Sequence, residues 1–431
     1  MTLRKPHPLP LLLVGLLFAA AVALFTALNH ADAPGIGATS GAPAHPRTTD
    51  QLIASLQATV RAHANSSGEY VLLADAYMQK VRETGDAGYY VRAQGVLAIA
   101  RRIAPRDPAL HTGLGTLALA RHDFRAALAE GRRAHALAPD VVRPLGVVAD
   151  AQVELGRYSA AGRTLQRMID EKPNLASYAR VSYFRELHGD LAGAERAMRL
   201  AVDAGGAAPE NVAYVQTLLG HLELTRGNVD AAGHAYRLAL YNFPSYPAAL
   251  AGLARVDAAR GRLGPAIVRL RGVVARLPLP EYVIALGETE LAAGRSAQAR
   301  QDLALVRAEQ RLLATNGVNT DTEIAVFEAD HGSPARAVSL ARRAWARAPS
   351  VRSADALGWA LTASGHPRAG LAWAHRALRL GSRDPLFLYH AGMAARAAGA
   401  PAEARTLLAR ALELNPHFSP LYAPRAERAL R

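Results

Sequence analysis

A glycine recurs through most of this chain at a nearly fixed interval, and that spacing constrains the fold more than any other feature. It stands at positions 156, 189, 227, 261, 294, 332, 365 and 399, in steps of 33, 38, 34, 33, 38, 33 and 34 residues. Each glycine interrupts a stretch with helical apolar spacing, such as Ala299, Leu303 and Val306. A period of this length is one helix–turn–helix unit, too small to bury its apolar face alone and able to do so by stacking.

Other residues keep the same phase. Pro173, Pro244, Pro278, Pro349 and Pro416 each follow a glycine by seventeen residues. Five residues after the glycine a small side chain stands at Ala161, Ala194, Ala232, Ala266, Ala299, Ala337 and Ala404. Eight before it come Leu219-Gly220, Leu253-Ala254, Leu286-Gly287 and Leu357-Gly358. The glycine suits a tight turn that needs positive φ. The small residues allow two helices close approach, and the proline ends the second helix. No segment shows sustained period-two alternation, so essentially no sheet is expected.

The pattern resembles the tetratricopeptide repeat, whose unit is about 34 residues. Its strongest copies are Leu114-Gly115 with Ala127, Ala134 and Pro139, and Leu219-Gly220 with Ala232, Tyr236, Ala239 and Pro244. The resemblance runs from about Glu69 to Pro416, with His122 in the glycine's place in one copy. The family's first-helix tyrosine is mostly replaced here, as by Glu223 and Glu290. The first copy, at Leu73-Ala74 and Tyr77, carries extra residues before Ala93, and the two 38-residue steps hold insertions near Gly205-Gly206 and near Asn316 to Asp321. About ten units result. The resemblance implies an all-α, right-handed superhelical solenoid, with first helices on the concave face and second helices on the convex face. It also implies a protein-binding scaffold that carries no chemistry of its own. The plan is similar to that of anchored or exported bacterial repeat proteins.

Residues 1–8 hold Arg4 and Lys5, and Leu9 to Leu28 are uncharged and apolar. At 1.5 Å per residue, that run just crosses a hydrocarbon core of about 30 Å. It is long for a cleaved signal peptide, and the Ala31-Asp32-Ala33 site is followed by Pro34. An uncleaved transmembrane signal anchor is the favoured reading, with a cleaved signal as the alternative. Either leaves residues 1–8 as the cytoplasmic n-region and places the repeats outside the cytoplasm, membrane-anchored or secreted. Residues 29–50, rich in Gly, Pro, Ala and Thr, form a flexible tether. Residues 51–431 form the solenoid, closed by a capping helix from Arg425 to Arg431.

Chemistry is hard to place on this sequence. It has no Cys, which excludes disulfides, thiolate metal sites and thiol nucleophiles. It has no HExxH, GxSxG or GxxxxGK[ST] motif. Gly113-x-Gly115 follows no strand and falls at close-packing positions. His122, His188 and His331 occupy equivalent inter-helix turns, units apart, and read as one solvent-exposed position repeated. No catalytic residue, cofactor or metal site is expected.

The candidate partner-binding surface is the concave face. In the repeat register Tyr183, Tyr214, His221, Arg255, Glu288, Arg352, Asp355, Trp359, Tyr389 and Arg396 point inward. Arg143, Asp150, Glu154, Glu186, Glu281, Asn319 and Thr322 join them. Arg352, Asp355 and Trp359 are spaced three and four apart and share a helix face. For Tyr183, Tyr214 and Tyr389, packing between helices competes with ligand contact. Aromatic and Arg residues are common interface anchors.

The expected function is a non-enzymatic scaffold that holds a peptide or protein segment in this groove. The alternative follows from the net charge of +14, nearly all from Arg: a binder of anionic polymers or lipid headgroups. The mixed signs along the groove argue against nucleic acid, which favours a uniformly basic surface.

Overall fold

The computed structural model describes residues 48–206 and 209–431, so the cytoplasmic segment, the apolar run and nearly all of the tether lie outside the described residues. No strand occurs among the described residues, and no helix among them is long and apolar enough to cross a membrane. Helix α1 (Thr49–Ala62) precedes a series of helix pairs. These are α2 (Ser67–Thr84) with α3 (Gly88–Ile103), α4 (Pro108–Ala120) with α5 (Phe124–Leu137), α6 (Arg143–Glu154) with α7 (Tyr158–Glu171), and α8 (Leu175–Leu187) with α9 (Leu191–Asp203). Then come α10 (Pro209–Thr225) with α11 (Val229–Asn242), and α12 (Pro247–Ala259) with α13 (Leu263–Arg276). Helix α14 (Pro280–Ala292) pairs with the broken α15 (Ser296–Leu303) and α16 (Leu305–Thr315). The last pairs are α17 (Asp321–His331) with α18 (Pro334–Arg347), α19 (Val351–Ala363) with α20 (Pro367–Ala377), and α21 (Pro385–Ala397) with α22 (Pro401–Leu414), capped by α23 (Ala423–Leu430). The chain is an all-α solenoid of ten tetratricopeptide-type helix pairs.

Local chemistry sets the helix ends. Proline takes the first helical position in α4, α12, α14, α18, α21 and α22, where its missing N–H would have had no partner. Ser350 and Asn174 close capping boxes with Ser353 and Ser177. All the turn glycines except Gly332 adopt positive φ; Gly332 has φ −137°. The alanines five residues after the turns are essentially buried, Ala161, Ala194, Ala232, Ala266, Ala299 and Ala337 each being 0% exposed. These positions carry the close approach of each helix pair.

The superhelix closes on itself. The Val351 N–H donates to the Tyr158 hydroxyl at 2.8 Å across 193 residues of sequence. The Asn415 side-chain amide donates to the Leu224 carbonyl across 191. The Asn319 N–H donates to the Arg121 carbonyl at 3.1 Å, and Arg125 Nη2 donates to the Ala346 carbonyl at 2.7 Å. The second superhelical turn therefore stacks on the first, edge to edge, with the inter-helix turns of the first against the inter-unit links of the second. Gly156 shows how close this contact is: a Cβ there would lie 2.3 Å from the Pro349 carbonyl oxygen.

The two insertions take different forms. Near Gly205 the extra residues lengthen the following helix, α10, to 17 residues where its neighbour α12 has 13. Near Asn316 they extend the second helix past its break at Ala304, and the link after it docks on Arg121. That second insertion is part of the seam between superhelical turns.

Candidate functional site in the superhelix interior

The first helices of the units face the interior, and three zones of polar side chains follow one another along it. At the N-terminal end, Arg143 Nη2 donates to Asp75 Oδ2 at 2.7 Å. Gln79 Nε2 donates to Glu210 Oε2 at 2.9 Å across 131 residues. Arg82 lies 3.8 Å from the other oxygen of Glu210. Side chains of α2 thus meet Glu210 at the start of α10.

The middle zone is built around Asp150, Arg180, Tyr183, Glu186 and His221, which line one cleft. Arg180 holds Asp150 with two parallel bonds, Nε to Oδ1 and Nη2 to Oδ2, both 2.9 Å. Burial nevertheless pushes the Asp150 carboxyl up to about 6, against the pull of Arg180. His221 is held by its neighbour: Tyr236, 0% exposed, lies between Gly220 and Gly252 with its hydroxyl 2.7 Å from His221 Nδ1. A Cβ on either glycine would come within 2.5 Å of the Tyr236 ring, so the slot requires both. Burial, aided by the charge of Arg255, lowers His221 to about 3, so the imidazole is neutral. Arg255 itself is exposed at the edge of this zone.

A second cleft lies at the seam, between His122, Phe124 and Glu154 of the first turn and Asn319, Thr322, Glu323 and Arg352 of the second. Arg352, Tyr183 and Glu154 interact with one another there. Burial raises the Glu154 carboxyl to about 7 although Arg352 opposes it. Glu186 is raised to about 7 as well, first by burial and then by Asp384 across the seam.

At the C-terminal end the segment leading into the cap bonds the interior wall. The Tyr422 hydroxyl donates to Glu288 Oε1 at 2.8 Å across 134 residues. His331 Nε2 lies 3.1 Å from the same oxygen. The Trp359 indole N–H donates to Asp330 Oδ1 at 2.9 Å, and its ring stacks on His390 with centroids 4.4 Å apart. His390 Nδ1 meets Asp355 Oδ2 at 2.9 Å. One oxygen or nitrogen from each of Glu288, Asp330 and His331 falls within 4.8 Å of the other two, a donor set able to hold a metal ion.

The predicted concave residues therefore separate. Tyr183, His221, Glu288, Arg352 and Trp359 stand on the interior wall and keep partial contact with solvent, and Arg255 and Arg396 are exposed. Tyr214, Asp355 and Tyr389 are buried at 3%, 4% and 1%, Asp355 in its bond to His390. Arg352 and Trp359 share a helix face, as their spacing predicts, yet reach different partners, Tyr183 and Asp330. The expectation that His122, His188 and His331 form one solvent-exposed position is corrected. All three are half-buried; His188 Nδ1 meets the Phe184 carbonyl at 2.8 Å and His122 stacks on Phe124. The turn faces the neighbouring superhelical turn or the bore, which removes it from water.

No family model matches the chain, and no curated protein matches it. Among solved structures it is similar to the human IFIT1 dimer with PPP-AAAA, with a TM-score of 0.48 and 15% identity over 85% of this chain and 87% of that one. It is similar to a tetratricopeptide repeat protein from Parabacteroides merdae, with a TM-score of 0.40 and 19% identity over 56% of this chain and 98% of that one. MamA gives a TM-score of 0.30 and 15% identity over 39% of this chain and 91% of that one. The tetratricopeptide-type architecture is visible in the helix pairs of the chain itself.

Sequence reasoning missed Asp330, His390 and Tyr422. The available signal was weak: Asp330 sits beside the turn position read as exposed, and Tyr422 follows the last repeat proline.

Proposed function

We propose that the chain is a non-enzymatic scaffold that holds a peptide or protein segment against the middle of its interior wall, outside the cytoplasm. One observation carries this reading. Between two groups of side chains that bond one another near each end, Tyr183, Glu186, His221 and Arg352 keep solvent contact on a wall of mixed charge, with Arg255 exposed nearby. Mixed charge with an aromatic suits a polypeptide better than a polyanion. The extracytoplasmic location is supported by the uncharged run from Leu9 to Leu28 behind Arg4 and Lys5. The non-enzymatic reading is supported by the array of stacked helix pairs, an architecture whose concave surfaces serve binding.

The test is affinity capture from detergent-solubilised native membranes with the full-length chain, beside a Glu186→Lys, Arg255→Glu variant. Arg255 is exposed and Glu186 only partly so, and circular dichroism and thermal unfolding of the variant check that it is folded before capture is compared. One stoichiometric protein captured by the wild type and lost by the variant is the expected result. Equal capture by both would overturn the placement on this wall.

A further inference from the structure

The C-terminal end of the bore holds a charge arrangement that the rest of the interior does not. Four buried acids elsewhere are met by guanidinium groups: Asp75 by Arg143, Asp150 by Arg180, Glu290 by Arg271, Glu328 by Arg307. Glu288 and Asp330 converge with no Lys or Arg in ion-pair contact with either among the described residues. They do so in a chain with 50 basic residues against 36 acidic ones. An imidazole, a phenol and an indole N–H stand where the guanidinium would be.

The geometry is that of a coordination set. Glu288 comes from α14, and Asp330 and His331 from the end of α17, the first helices of consecutive units. Their donor atoms lie within 4.8 Å of one another, and His331 Nε2 and Glu288 Oε1 are 3.1 Å apart. Two ligands bound at about 2.0–2.1 Å from a tetrahedral ion are about 3.3 Å apart, so this pair needs almost no movement. The side chains of His331 and Glu288 are only 8% and 17% exposed. Both carboxylates are already oriented from outside the set. Trp359 fixes one oxygen of Asp330, and Tyr422 donates to Glu288 Oε1, the oxygen nearest His331, with its hydroxyl 3.4 Å from His331 Nε2. Such outer-shell hydrogen bonds are what pre-organise metal ligands. A further buried nitrogen stands close by: His390, 2% exposed and stacked on Trp359, gives Nδ1 to Asp355 and has no protein partner at Nε2.

We propose that Glu288, Asp330 and His331 bind one divalent first-row transition ion, with Zn2+ as the probe. Two carboxylates and one imidazole balance a 2+ charge when the imidazole is neutral. The nitrogen ligand selects against Ca2+ and Mg2+, which favour all-oxygen shells. The ion would tie two consecutive units together and, through Tyr422, fasten the cap to them.

The experiment uses the full-length chain in detergent, stripped with chelator, titrated with Zn2+ against a chromophoric competitor, and scanned for thermal unfolding with and without the ion. The expected result is one tightly bound equivalent and a raised unfolding temperature. His331→Gln and Asp330→Asn, which keep hydrogen-bonding shape, lose that equivalent and the shift. Trp359→Phe keeps all three ligands and weakens affinity about tenfold to a hundredfold. If either ligand variant folds poorly, the Trp359→Phe titration alone decides. Retention of the equivalent in His331→Gln would assign the ion to scattered surface histidines and overturn the proposal. So would no bound equivalent in the wild type, equal affinity for Mg2+, or unchanged affinity in Trp359→Phe.

Discussion

The Tyr422 hydroxyl donates to Glu288 Oε1 at 2.8 Å and so joins the capping segment to the interior wall 134 residues earlier. In a solenoid each unit contacts chiefly its neighbours, and terminal units fray first. This bond instead anchors the end of the chain to a unit four repeats back. Tyr422 is 4% exposed, and its ring packs 5.4 Å from Tyr389. The contact therefore has both a polar and an apolar part.

Tyr422→Phe removes the polar part and leaves the packing. A hydrogen bond to a charged acceptor contributes about 1.5–3 kcal/mol, and the loss should concentrate in the cap. Amide hydrogen exchange should accelerate in Ala423–Leu430 while α4 to α9 keep their protection. Unchanged exchange in the cap would mean that packing against Tyr389 holds it unaided.

Much of the fold was legible in the sequence because its determinants are local. The turn glycines, the alanines five residues later and the terminating prolines each act within one helix pair, and the phase of the pattern places ten such pairs. The stacking of superhelical turns was not legible. It depends on the small rotation between successive units summed over almost 200 residues, and no local pattern encodes that sum. The same limit applies to the interior. Helical spacing put Asp355 and Tyr389 on the inward face, but the neighbours that bury them, His390 and Tyr422, come from the next unit and the cap. Glu288 and His331 come from the first helices of adjacent units, and Tyr422 joins them only because the cap folds back onto that wall, 134 residues from Glu288.

The seam gives one repeated glycine two different roles. Gly156 has φ +68° and faces the Pro349 carbonyl oxygen, which a Cβ would approach to 2.3 Å. Gly294 has φ +75° and nothing within 4 Å. Alanine at Gly294 meets only the left-handed backbone penalty, about 1–2 kcal/mol. Alanine at Gly156 adds an overpacking cost of about 1–3 kcal/mol, because backbone must shift across the seam. Denaturant unfolding of the two variants should show the larger loss at position 156. Equal losses would mean that the second turn adjusts freely against the first.

The Asp150–Arg180 pair is buried on both sides, with side chains 7% and 3% exposed. Removing one partner strands a charge, whereas removing both leaves an apolar site. Arg180→Met should cost about 3–5 kcal/mol, and Asp150→Leu with Arg180→Met should recover most of it. Equilibrium denaturation of the single and double variants measures the coupling. A double variant as unstable as Arg180→Met would show that Asp150 has a second essential partner.

Acid–base behaviour should follow from Glu186 and Glu154, each raised to about 7 from an ordinary carboxylate value of 4.5, chiefly by burial. Asp384, raised in the same direction, faces Glu186 across the seam, and Arg352 lies near both glutamates. A carboxyl with a raised folded-state pKa binds its proton more tightly when folded. Its contribution is fully present below about 4.5 and is lost as the pH rises through about 7, so between those values the folded state loses stability with rising pH. His221, lowered to about 3 by burial, acts oppositely below its ordinary value of 6.5, because the unfolded chain takes up that proton first. The two slopes overlap, and Glu186→Gln separates them. The variant should lose part of the destabilisation between pH 5 and 7.5 and be more stable than wild type at pH 8, read from denaturation midpoints across that range. A variant that followed the wild-type profile throughout would show that Glu186 ionises freely and that water hydrates it at the seam.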